Sequence, residues 1–506
     1  MAKVNTNDSR TRNAQNLIES YNEANGDASA YLFIGKPQPW DNDAQPPQPS
    51  NNFKELYQIH NDMLSLKRIN DTDVHMMIPR VSWTSGAVFD MYRHDYSSTT
   101  PSFSGANNLF DAIYYVLSSN NYVYVCLNNN KNKPSLVEPQ NISDQPFITS
   151  DDYQWLKLYK VDTTTQQNYS TNNLIPIVAN DVTQTEPGSV HTILVDDGGS
   201  EFTNNPSGPI ADVPDYYCNI VGDGTGAVAK VKIRAGIVTE IDIIRPGSGY
   251  TYAKLDFVPG RIYKGLAQLD DKRNGLNPLG DGRFRSTVII SPVGGWGYKR
   301  DPLVEDIVND IKTVEELSRQ LSARTVCVFA NLKDNLSDFF IDTQFRQIGI
   351  LKEVRYSDDT YQNADTLSAV HSIKVTDVSG PEDFTVGEVV KQTAVYNSVE
   401  EEATGLVVSW DNVNNILRVI YNQTTVNTKG QTFKLTGPQN ISGLTSTKIV
   451  SPDHDYFDDL AGLTFFRGYS QPEIEKYSGY LTYLTNLSPI SRNPQQSERV
   501  SLTITF

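Results

Sequence analysis

Sixty acidic against forty-three basic side chains in 506 residues leave a formal charge of −17. A surface so acidic repels phosphate backbones and anionic headgroups, so no nucleic acid and no membrane is expected as a partner, while protein–protein contact stays open. The chain is long enough for about two to four domains, each with its own core.

Met1-Ala2-Lys3-Val4-Asn5 leads into polar residues without an apolar segment, and no apolar run reaches bilayer length, so no export signal or membrane span is expected. Cys126, Cys218 and Cys327 are too few and too far apart for a disulfide framework; buried thiols in a reducing cytoplasm are the expectation. Twenty-seven tyrosines, abundant Asn and Thr and few strong helix formers point to a mainly β chain with a few helices (α+β), built of antiparallel sheets in several domains.

Asp8 or Ser9 can cap a first helix in which Ala14, Leu17, Ile18 and Tyr21 recur at helical spacing, with Asn25-Gly26 to end it. A strand at Tyr31–Ile34 runs into Gly35-Lys36-Pro37-Gln38-Pro39-Trp40, a corner fixed by proline. Beyond Pro46, Pro47 and Pro49 the pattern predicts a second helix, Phe53–Ile69, with Phe53, Leu56, Tyr57, His60 and Leu64 on one stripe. Ile78-Pro79-Arg80-Val81-Ser82-Trp83 follows. Ile113–Leu117 and Tyr122–Leu127 read as a hairpin around Ser118-Ser119-Asn120-Asn121, and Asp151-Asp152 forms an acidic turn into a strand carrying Tyr153-Gln154-Trp155.

From Glu186 the composition shifts to Gly, Asp and β-branched residues. Val221–Ala227, Ala229–Ile233, a turn at Ala235-Gly236, then Val238–Ile244 and Pro246–Tyr250 predict a small inserted β module over residues 186–280. The region 281–365 holds Gly294-Gly295-Trp296-Gly297, an amphipathic helix from Pro302 to Leu321, a strand at Thr325–Leu332, and Gln344-Phe345-Arg346-Gln347-Ile348. A second inserted β module, 366–450, carries strands at Phe384–Val390, Gly405–Trp410 and Ile416–Tyr421. In the last region, 451–506, Val500, Leu502, Ile504 and Phe506 alternate with polar residues, predicting a final strand that ends on a buried Phe506 beside a strand at Tyr480–Leu484.

Five of these phrases, in order, resemble a baseplate wedge protein of T-even-like contractile-tailed phages: Gly35-x-x-x-Pro39-Trp40, Ile78-Pro79-Arg80-x-x-Trp83, Tyr153-x-Trp155, Phe345-Arg346-Gln347-Ile348, and an ending with Tyr477-Ser478-Gly479-Tyr480-Leu481, Asn486, Pro489-Ile490 and Ile504-Thr505-Phe506. The resemblance covers about the first 180 residues, within the N-terminal part of the core at 1–185, then about 300–360 within 281–365, and 465–506. The two modules fall outside it, and Asp151 or Asp152 stands where the family has Gly. It implies a mainly β, multidomain structural subunit of the tail baseplate, a virion component assembled in the host cytoplasm, dimeric and packed against other wedge subunits, with no enzymatic activity. On it Pro39, Trp40, Pro79, Arg80, Trp83, Trp155, Arg346, Gly479 and Phe506 are structural residues.

Motifs that could carry chemistry are thin. Gly222–Gly226 and Gly294–Gly297 lack the Lys-Ser/Thr and the strand–loop–helix setting of a phosphate loop, and Gly247-Ser248-Gly249 lacks the frame of a nucleophile elbow. His60, His75, His94, His191, His371 and His454 show no ligand spacing, so no metal or cofactor is expected. Asp453-His454-Asp455 with Asp458 and Asp459 could hold a hard cation, although a solvated loop is the plainer expectation. Asp196-Asp197 or Asp270-Asp271 could serve a polysaccharide hydrolase, but nothing singles out either pair. The alternatives to a wedge subunit are thus a polysaccharide-binding or depolymerising tail protein and a free-standing adhesin.

Overall fold

The computed structural model describes residues 6–21, 29–50, 52–143, 145–179, 188–202, 216–272, 275–276, 280–292, 314–333, 337–380, 382–396, 399–427, 429–493 and 496–506. The fold is mainly β, with several antiparallel sheets and short helices. The chain divides into two compact units, one of Met1–Gln15, His75–Val326 and Ile504–Phe506, the other of Asn16–Val74 and Cys327–Thr503.

The second unit is built on a five-stranded antiparallel sheet in the order Thr366–Ser368, Met63–Arg68, Ala30–Gly35, Thr343–Lys352, Tyr480–Arg492. Its central strand, Ala30–Gly35, is buried at every position, as a near-continuous apolar run requires. Phe33 lies opposite Gly349, and the missing side chain at Gly349 makes room for the Phe33 ring.

The expected helix over 53–69 is cut short. It runs Phe53–Asp62, capped by Asn52 accepting from the Glu55 amide at 3.0 Å, and Met63–Arg68 is a strand. Pairing with Ala30–Gly35 and burial of Met63, Leu64 and Leu66 outweigh local helical period there. Asp62 fixes the switch: its buried carboxylate accepts from Gln38 Nε2 at 3.0 Å and Asn422 Nδ2 at 2.7 Å.

The last strand, Glu498–Thr505, corrects a second expectation. It lies beside Thr325–Leu332, while Tyr480–Arg492 pairs with Thr343–Lys352. Val500 and Leu502 are buried as the alternation predicts, but Ile504 and Phe506 are only half-buried. Arg492 accounts for the changed partner. Its fully buried guanidinium donates to Glu498 Oε2 at 2.9 Å and to the carbonyls of Phe340 and Leu332 at 3.3 Å, which directs the chain away from the first sheet.

The second module is a closed barrel. His371–Ser379, Ile416–Ile420, Val399–Asp411, Val389–Tyr396, Ile441–Gly443 and Ile449–Pro452 pair in sequence, and Ile449–Pro452 returns to His371–Ser379. Val375, Val390, Val407, Leu417, Val419 and Val450 fill it. Its boundaries shift from the expected 366–450, because Thr366–Ser368 belongs to the first sheet and the barrel closes through Pro452. Thr385–Glu388 forms a turn where a strand was expected, with Gly387 at φ 89°. Buried Glu388 ties that turn down, accepting from the amides of Thr385, Thr445 and Ser446.

In the other unit the expected hairpin forms, Tyr115–Leu117 against Tyr122–Asn128, and Gln154–Lys160 extends it. The first module pairs Tyr216–Gly222, Thr225–Arg234 and Ile237–Ser248 in a meander. Ala235 and Gly236 both have positive φ, the two-residue turn that matches strand twist. The module's boundary at 280 is too early: Arg285–Ile290 pairs with Val190–Asp197, and Val288 and Ile290 share its core.

Thr6, rather than Asp8 or Ser9, caps the first helix, Asn7–Glu19, by accepting from the Ser9 amide. Of the expected amphipathic helix Pro302–Leu321, Val314–Gln320 is helical and buries Leu317. Residues 302–313 of that expectation, Gly294–Gly297 and Asn25-Gly26 lie outside the described residues. All three cysteines are free and buried.

Gly349→Val tests the central sheet. A side chain there meets the Phe33 ring and the Tyr483 carbonyl, so urea denaturation should show a loss of about 1–3 kcal/mol, the usual cost of overpacking.

Candidate interaction surface

Three of the five phrases converge in the second unit. Arg346, buried on its strand, donates through Nε and Nη2 to the two oxygens of Asp43 at 2.9 Å each, and through Nη1 to the Pro37 carbonyl at 2.6 Å. The guanidinium holds the Asp43 carboxyl below the ordinary carboxylate range, first by these hydrogen bonds. Asp43 Oδ1 also accepts from the Trp40 amide at 2.8 Å, and the Trp40 indole donates to the Leu487 carbonyl at 3.0 Å on the strand Tyr480–Arg492. Asn486 of that strand donates to the Pro47 carbonyl. Pro39 sits exposed at the corner. Gly479, at φ 80°, opens the strand where a side chain would press on the Lys352 carbonyl.

Two other phrases meet in the first unit. Trp83 Nε1 donates to Ser135 Oγ at 3.1 Å, and Ser135 donates to Asp151 Oδ2 at 3.2 Å. Asp151 also accepts from the Leu136 and Val137 amides, and Asp152 carries the positive φ that the acidic turn needs. Tyr153 stacks on fully buried Trp155 at 5.5 Å. Arg80 donates to the Thr171 carbonyl beside exposed Pro79, and the Phe506 amide donates to the Arg324 carbonyl.

The exposed feature is the outer strand itself. Tyr480–Arg492 pairs on one side only among the described residues, over thirteen residues or about 40 Å. Native edges are guarded by charge, proline or brevity. This one has Pro489 near its far end, and its single charge, Arg492, is buried.

Beside the edge lies a groove of about 540 Å³, lined by Phe53, Tyr57 and His60 of the helix and by Tyr477, Tyr480 and Tyr483. Phe53 is 80% exposed and Tyr480 68% exposed, so the helical stripe read as a core face is half open to solvent. Tyr477 makes edge-on contacts with Tyr57 at 5.0 Å and His60 at 5.6 Å, and its hydroxyl donates to Asn61 Oδ1. Burial, with Lys476 nearby, pulls the His60 pKa down to about 4. The apolar spacing of 53–64 was visible in the sequence; that the stripe borders an open edge depends on pairing across more than four hundred residues.

The sequence's chemical candidates disperse. Gly222 and Gly224 let the chain pass close to Tyr250–Tyr252, and Ser248 ends a strand. Asp270 binds Arg245, Asp196 accepts from Thr287, and Asp197 accepts from the Gly199 amide, so each of these three carboxylates has its own partner. His454 contacts the Gly437 carbonyl. Among the described residues no group of three His, Cys, Asp or Glu is placed to hold a metal ion, Asp453–Asp459 included. No helix among them is long and apolar enough to cross a membrane.

No known family model matches the chain, and no curated protein matches it.

His60 gives a pH test. Its folded pKa lies near 4 against 6.5 when exposed, so the unfolded chain binds more protons between those values and stability falls as pH falls through that window. Between pH 7 and pH 4, wild type should lose up to about 3 kcal/mol more than His60→Phe, measured by denaturant titration at each pH.

Proposed function

We propose that this chain is a structural subunit of a contractile phage tail baseplate, a wedge protein that works through interfaces with its neighbours and carries out no reaction. One observation carries the reading: an edge strand open over Tyr480–Leu484 lies beside an exposed aromatic groove, both in the second unit. Left open, such an edge is a template for uncontrolled strand pairing, so it calls for a partner.

The resemblance of the five phrases to wedge proteins supports the same reading, and three of them pack around the loop that braces this edge. A neighbouring subunit adding a strand along Tyr480–Leu484 would satisfy backbone groups, and its apolar side chains would enter the groove over Phe53 and Tyr57. An antiparallel pair of identical edges would make the homodimer that the resemblance implies, since a two-fold axis makes one strand its own complement. The place of work would then be the virion, assembled in the host cytoplasm.

Light scattering of the purified chain, with mass spectrometry of isolated tails, tests this. The expected result is a dimer, present in tails in fixed ratio to other baseplate proteins. Phe53→Glu with Tyr480→Glu should give a folded monomer absent from tails, because both sites are exposed and their charge reaches only the interface. A wild-type monomer missing from tail particles contradicts the proposal.

A further inference from the structure

A second cavity, larger than the groove beside the edge strand, lies in the first unit. A groove of about 1150 Å³ runs between the loops around Asn128–Asn132 and Gln145–Gln154 on one side and the module strands Val190–Asp197 and Ile237–Ser248 on the other. That volume exceeds the usual range for a drug-sized ligand.

Its lining is rich in side-chain amides: Asn128, Asn130, Asn132, Gln145 and Gln154. Asn128 and Asn130 are committed to their own loop, but the side chains of Gln145 and Gln154 have no hydrogen bond among the described residues. An amide both donates and accepts, which suits hydroxyl groups that do the same. Flat and aliphatic surface is interleaved with them: Phe103 is 57% exposed, Ile148 59% and Ile237 44%. These would cover the C–H faces of sugar rings.

The charges argue against an anionic ligand. Of the two cations in the lining, Arg93 is held by both oxygens of Asp95, and Lys131 is outnumbered by Asp152, Asp196, Glu240 and Asp242. Asp152 and Asp196 keep the walls acidic. The rim is also built against backbone preference. Asn130, Lys131 and Asn132 take φ of 48°, 57° and 63° in succession, a left-handed turn held by the Asn129 amide donating to the Phe89 carbonyl at 2.9 Å and to Asn132 Oδ1 at 2.8 Å. Such strain gathers where a surface is shaped for contact.

We infer that this groove binds a neutral oligosaccharide, with Phe103 as its stacking platform and Gln145 and Gln154 reading hydroxyls. The site is separate from the edge and groove of the second unit, and it stands whether or not those form an assembly interface.

The test is titration calorimetry of the full chain against linear neutral oligomers of glucose, galactose, mannose and N-acetylglucosamine. At least one should bind, Phe103→Ala and Gln154→Ala should each weaken it about tenfold or more, and Phe103→Tyr should restore it. Val413→Ala, at an exposed site in the other unit, is the control and should bind as wild type. Circular dichroism of each variant confirms the fold. Absence of binding by every oligomer, unchanged binding in Phe103→Ala, preference for oligogalacturonate, or displacement of the sugar by an extended peptide would each overturn the assignment.

Discussion

Arg346 is the pin of the second unit. A buried guanidinium is costly unless each face of its fork is met, and here Asp43 takes two N–H groups and Pro37 a third. Those contacts fix a proline-rich loop that could otherwise swing, and through Trp40 they set the loop against the edge strand at Leu487. The edge therefore keeps one position, with its outer side clear over Tyr480–Leu484 and the aromatic groove beside it. Interfaces that hold a large assembly need such surfaces before the partner arrives, because ordering a loop on binding subtracts from affinity.

Much of the strand content was legible in the sequence because apolar alternation and turn residues are local. The hairpin around Ser118–Asn121, the Ala235-Gly236 turn and the strand Thr325–Leu332 formed as expected. The failures share a cause. Met63–Arg68 reads as helix by spacing yet pairs with Ala30–Gly35, and the last strand takes Thr325–Leu332 in place of Tyr480–Leu484. Both outcomes were decided by buried polar side chains, Asp62 and Arg492, whose partners lie far off in sequence. Module limits slipped for the same reason, since Thr366–Ser368 and Arg285–Ile290 find their partners outside the composition blocks that contain them.

The candidate surface was half legible. Phe53, Tyr57 and His60 were visible as a stripe, but a stripe does not say whether it faces a core or solvent; Phe53 at 80% exposure answers that. The acidic pairs looked alike in sequence and proved to be tied separately to Arg245, Thr287 and a turn amide. The amide-lined groove of the first unit had no sequence signature, because its walls come from three separate segments, around 128–154, 191–198 and 237–246.

Hydrogen exchange read by mass spectrometry, comparing the free chain diluted to its monomer with the same chain in assembled tail particles, tests the central claim most directly. The account predicts strong new protection in peptides covering residues 53–60 and 477–488, with the barrel strands unchanged. Exchange at those peptides that is as fast in particles as in the free chain, with protection appearing elsewhere, would contradict it.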